Sequence, residues 1–128
     1  LELIGGARAQ VSGYTSGDLR VQQAGGSQLR FRGDLDELRL ELAGGCKAAL
    51  QGRANTLRVE GAGGCAVAGS SFTARVADVD VVGASKVRLH VTEELDADAV
   101  GASVIEYSGR PRTVRRDAVG AAVVRAVD

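Results

Sequence analysis

A small-residue doublet headed by glycine returns along the whole chain: Gly5-Gly6, Gly25-Gly26, Gly44-Gly45, Gly63-Gly64, Gly83-Ala84, Gly101-Ala102 and Gly120-Ala121. Successive doublets stand 18 to 20 residues apart, a period that points to a solenoid. Apolar residues alternate before each doublet, as in Leu38, Leu40, Leu42 or Val79, Val81, and again after it, as in Leu29, Phe31 or Val87, Leu89, Val91. Period-two alternation marks strands with one buried face. No segment offers a helical stripe. With two or three short strands per repeat and no helix to cross back, the economical solution is a chain that coils and stacks its coils as parallel strands, about 4.8 Å apart.

The expected fold is therefore all-β, a parallel β-helix or β-solenoid of about 19 residues per coil and six to seven coils. Equivalent residues then stack in columns. Leu19, Leu38, Leu57, Ala77, Leu95 and Val114 form an inward column before the doublets. Leu29, Ala48, Val67, Val87, Ile105 and Val124 form another after them. A wrong register would mix charges into both. Gly25, Gly44, Gly63, Gly83, Gly101 and Gly120 have a structural role at the corners, where the backbone turns tightly and glycine tolerates positive φ. The coil after Gly69 is irregular, and Phe72 fills the space that its small neighbours leave.

At 128 residues the chain reads as one domain, 1–128. The net charge is zero, so no electrostatic case exists for nucleic acid or an acidic membrane, and neither is an expected partner. Two Phe, two Tyr and no Trp leave no stacking platform for single strands or sugars. No apolar run is long enough to span a bilayer. Leu1, Leu3 and Ile4 already lead into the first doublet, so the expectation is a mature or trimmed fragment whose N-terminal coils lie upstream. An uncovered coil end would be satisfied by those residues or by a second copy of the chain.

Cys46 and Cys65 share a corner column with Ser27, Ser85, Ser103 and Ala122. They are either free thiols interchangeable with serine or a disulfide between adjacent coils, and directly opposed parallel positions often fail disulfide geometry. Two cysteines without C-x-x-C and one distant histidine do not make a zinc site. Outward columns hold Gln22, Glu41, Glu60, Asp80, Asp98, Asp117 and, beside them, Arg20, Arg39, Arg58, Asp78, Asp96, Arg115. In the first half arginines neighbour the acids, a solvated charged face. Around Asp78, Asp80, Asp96 and Asp98 four carboxylates gather without arginine between them. That cluster is the candidate face for a cation such as calcium or another ligand, or for an acid/base pair. His90 falls outward with no partner acid placed by spacing, and Tyr107 falls inward. Arg110, Arg112, Arg115 and Arg116 gather toward the C-terminus as a solvated end, with an anionic polymer as the functional alternative.

The stretch VVGASKVRLHVTEELDADAVGASVIEYSGRP, followed by AVGAAVVRAV, resembles the head GIN domain of auto-transporter adhesins. Gly83, Ala84, Ser85, Gly101, Ala102 and Ser103 match its corners, and Tyr107, Gly109 and Pro111 match its Y-x-G-x-P turn. The A-G-G-C corners at Cys46 and Cys65 depart from its Ser/Gly pattern. The resemblance implies a right-handed parallel β-helix from a secreted or cell-envelope protein, periplasmic or outer-membrane-associated, and brings no catalytic residue and no cofactor.

The leading functional reading is a non-enzymatic surface module, an adhesin-like spacer or binding head for a glycan or protein ligand. The coils are too uniform to supply a cleft-forming insertion. A polysaccharide-acting enzyme would need the Asp78–Asp98 cluster walled by long loops, and a self-assembling scaffold would need free coil ends. Ice binding wants threonine ladders and a left-handed acyltransferase helix wants a six-residue apolar period; neither pattern is present.

Overall fold

The computed structural model describes residues 2–15 and 17–126. Within them ten strands form one parallel sheet and there is no helix. The strands are β1 (Glu2–Ile4), β2 (Arg8–Thr15), β3 (Asp18–Ala24), β4 (Gln28–Gly44), β5 (Lys47–Gly63), β6 (Ala66–Gly83), β7 (Lys86–Gly101), β8 (Val104–Ser108), β9 (Thr113–Gly120) and β10 (Val123–Ala126). Among the described residues no helix is long and apolar enough to cross a membrane.

The sheet winds as a solenoid. Leu19 pairs with Leu38, Leu38 with Leu57, Leu57 with Ala77, Ala77 with Leu95 and Leu95 with Val114. The expected column is thus observed residue by residue, and its stacked partners give the period of about 19 residues per coil. Expected and observed structure differ in how the coil is divided. Instead of two or three short strands, each central coil is one strand of 16 to 18 residues between corners. A strand that long turns by changing side-chain parity. In β4 the buried residues are Leu29, Phe31 and Leu35, then Leu38, Leu40 and Leu42. Asp36 and Glu37, at the change, both face away from the core. The same shift of phase separates Leu50 and Ala54 from Leu57 and Val59 in β5. Both arms of the coil thereby bury their apolar face inside it.

The core is a stack of aliphatic rungs with two rings in the middle. Phe31 and Phe72 are fully buried and meet edge to face, centroids 6.4 Å apart and planes at 67°. Phe72 fills the irregular coil as expected. The register of β6 against β7 jumps from Gly69↔Leu89 to Thr73↔His90, and the extra residues bring the ring inward. At Thr92-Glu93-Glu94 the strand bulges without breaking, and the pairing steps from Ala74↔Val91 to Val76↔Glu94.

The leading glycine of every doublet has positive φ, from 73° to 97°. Stacking adds a second constraint. A Cβ on Gly83 would lie 2.9 Å from the carbonyl oxygen of Gly63 in the coil below. The trailing doublet position is free of this contact at Gly45 and Gly64, which is why Ala84, Ala102 and Ala121 can stand there.

Candidate functional site

The four aspartates are brought together as their spacing requires. Asp78 pairs in register with Asp96, and Asp80 with Asp98, which in turn pairs with Asp117. All lie on outward positions of the arm that leads into the corners. Partial desolvation, then the Asp96 carboxylate, push the Asp78 pKa above the ordinary aspartate value, with Arg58 opposing. Desolvation, then Asp96 and Asp117, raise Asp98 in the same direction. Like charges stacked at strand spacing resist ionising together.

The contrast with Glu41, in the same column, is chemical. Arg20 Nη2 donates to Glu41 Oε1 at 2.9 Å and Gln22 Nε2 to Oε2 at 3.0 Å. These donors hold the Glu41 pKa below the ordinary value. The column thus begins neutralised and ends uncompensated. Among the described residues, no group of three or more His, Cys, Asp and Glu is arranged to hold a metal ion. On a flat parallel arm the carboxylates point outward side by side rather than converging on one point. The other alternative, an acid/base pair in a groove, needs walls, and the arms flanking these residues are unbroken strand.

The other arm of the coil, which follows the corners, has the opposite sign. Arg8, Arg30, Arg32, Lys47, Arg53, Lys86, Arg88 and Arg125 project from it, and among the described residues its acids are Asp34, which lies 3.8 Å from Arg53, and Glu106. A shallow depression of about 700 Å³ lies here, floored by Ala49, Ala66 and Ala68 and rimmed by Arg30, Lys47 and Lys86. Glu106 is held by Arg88 Nε at 3.1 Å on one side and by Arg125 Nη2 at 2.8 Å on the other. Both guanidiniums, Arg125 first, lower its pKa. Reasoning from net charge misses this face, because a zero total is the sum of a cationic and an anionic arm. The signal was present in the repeat: Arg8, Lys47 and Lys86 share one column position.

Cys46 and Cys65 are free, buried thiols. Each caps its own corner, with Cys46 Sγ 2.9 Å from Ala43 O and Cys65 Sγ 3.3 Å from Ala62 O. Ser27 and Ser103 make the equivalent hydroxyl bonds to Ala24 O and Val100 O at 2.8 and 3.1 Å. Burial, the leading cause, pushes the Cys65 thiol pKa up. His90 is half-buried rather than fully outward, with Nδ1 2.9 Å from Ser108 Oγ. Tyr107 is buried, as its column predicts, and Arg110, Arg112, Arg115 and Arg116 are exposed.

Comparison with known families gives one assignment. The family model described as "Putative auto-transporter adhesin, head GIN domain" matches residues 1–111. No curated protein matches the chain.

Proposed function

The chain belongs to the head GIN domain family of auto-transporter adhesins, and from that premise we propose that it is a non-enzymatic binding module of the cell surface or envelope, whose flat strand arms hold an extended ligand. One observation supports the reading above the others: the arms differ in net sign, with Asp78, Asp80, Asp96 and Asp98 clustered on one, where carboxylates outnumber Arg20, Arg39, Arg58 and Arg115, and Lys47, Lys86 and Arg88 on the other. A pure spacer needs charge for solubility only, and interspersed signs serve that best. Stacked coils repeat a side chain at fixed intervals, which suits a ligand that is itself a repeat.

The test is a binding screen of the 128-residue chain on an array of glycans and matrix proteins, with calcium and with chelator. The wild type is run beside a variant carrying Asp78→Asn, Asp80→Asn, Asp96→Asn and Asp98→Asn. Binding by the wild type is the expected result. Loss of that binding in the variant assigns the contact to the acidic arm, and retention assigns it elsewhere. A wild type that binds nothing on the array leaves a spacer and overturns the binding reading.

A further inference from the structure

The basic arm has a period of its own. Down its outermost column the residues are Arg8, Gln28, Lys47, Ala66, Lys86, Val104 and Val123, each in register with the next. Over the first five rungs cations therefore recur at every second one with a neutral side chain between them, and the last two rungs are valine. Two rungs of a parallel sheet span about 9.6 Å. None of Arg8, Lys47 and Lys86 takes part in an ion pair among the described residues.

The neighbouring column shows what chemistry fits such a gap. Arg88, Glu106 and Arg125 are also consecutive rungs, and the Glu106 carboxylate sits between the two arginines, accepting from both. Lys47, Ala66 and Lys86 have the same cation spacing with a methyl group where the carboxylate stands. Ala49 and Ala68 beside it keep the depression open above the middle of the arm.

Resting on the binding-module reading, we propose that the basic arm is the docking surface for a carboxylate-bearing polysaccharide, a polyuronate lying along the solenoid axis with its acids between the cations of successive coils. The two-rung step corresponds to two sugar residues of an extended chain, so carboxylates on one side of the polymer meet Arg8, Lys47 and Lys86 in turn. A carboxylate from the ligand takes the place over Ala66 that Glu106 takes between Arg88 and Arg125. Single-stranded nucleic acid fits less well. Its bases need aromatic platforms, and the rings described on this arm, Phe31, Phe72 and Tyr107, are buried in the core.

The experiment is a titration of the chain with sodium polygalacturonate at low and at moderate salt. Neutral dextran, a single-stranded DNA oligonucleotide and phosphatidylglycerol vesicles serve as comparison probes. Three variants separate the causes. Lys47→Gln with Lys86→Gln removes the proposed contacts. Arg110→Gln with Arg112→Gln removes the same charge from an exposed site off this arm. Ala66→Glu keeps every cation and fills the gap with the chain's own carboxylate.

Polygalacturonate binding that weakens about tenfold or more in the lysine variant and with Ala66→Glu, but holds in the arginine control, is the expected result. Equal weakening in the lysine variant and the arginine control would overturn the proposal, since charge alone would then account for the binding. So would Ala66→Glu binding as well as wild type, or DNA or vesicles binding more tightly than the polyuronate. If the wild type binds other array ligands but not polygalacturonate, this proposal fails and the binding-module reading stands. If it binds nothing at all, both fail.

Discussion

A Cβ on Gly52 would run into the carbonyl oxygen of Gly33, the residue paired with it one coil below. Gly52 also has φ of 113°. Two penalties then act on Gly52→Ala, a left-handed backbone and an overlap with neighbouring main chain, together about 3 kcal/mol. Gly64 has open space where its Cβ would be and no positive φ. Gly64→Ala is expected to stabilise by about 0.5 kcal/mol through the unfolded chain. Urea denaturation of both variants checks the pair of signs.

Gln23 stands in an inward column whose next members are Leu42 and Gly61. Its Oε1 is buried without a hydrogen-bond partner, while Nε2 reaches Lys47 O at 3.4 Å. Gln23→Leu removes the stranded acceptor and restores the apolar column. The expected gain is about 1 kcal/mol, read as a higher denaturation midpoint at unchanged slope.

The thiols should behave as small buried donors. Cys46→Ser is expected to change stability by less than about 1 kcal/mol, because Ser27 and Ser103 make the same corner bond. Both thiols should resist alkylation at neutral pH in the folded state and react fully in denaturant, since the reactive form is the thiolate and both are buried. The raised Cys65 pKa means the folded chain keeps its thiol proton longer than the unfolded chain does. Its contribution to stability is therefore complete below the ordinary thiol pKa and falls as pH rises past it.

The two acid populations give stability a maximum in mild acid. Asp78 and Asp98 have raised pKa values in the fold, so the folded state binds protons first and stability rises as pH falls through their folded pKa toward the ordinary aspartate value. Glu41 and Glu106 have lowered values, so their contribution is present above the ordinary glutamate range and is lost as pH falls through their folded pKa. Thermal melts from pH 8 to pH 3 should show the rise and then the fall. Asp78→Asn with Asp98→Asn should flatten the rise only, and added salt should raise the melting temperature at neutral pH by screening the stacked carboxylates.

Glu106→Gln frees Arg88 and Arg125 from their shared carboxylate. With the basic arm as a polyuronate surface, the variant should bind polygalacturonate more tightly than wild type, with a steeper dependence on salt.

Much of the fold is legible from the doublets and the alternation alone. Columns such as Leu38, Leu57, Ala77 and Leu95 are read directly, because a period-two strand repeated at a near-constant interval has one register that keeps charges out of the core. Phe72 is placed by the same reasoning, as the large side chain in a coil of small ones. The bend at Asp36–Glu37 is not legible, because the change of parity falls among polar residues that suit either face. For the site, the stacking of Asp78 on Asp96 and Asp80 on Asp98 follows from the repeat, whereas the basic arm was hidden by a net charge of zero.

The sequence by itself determined the coil, its corners and its buried columns, since backbone sterics at glycine and the exclusion of charge from the core are local rules that a repeat states many times over. The tertiary structure decided what the outward residues do. Stacking puts side chains about 19 positions apart on neighbouring rungs. It thereby joins Glu106 to Arg88 and Arg125, leaves Ala66 between Lys47 and Lys86, and turns an electrically neutral chain into one with two arms of opposite sign. Coulomb interactions depend on distance, and distance between outward residues is set by the winding of the chain rather than by their order along it.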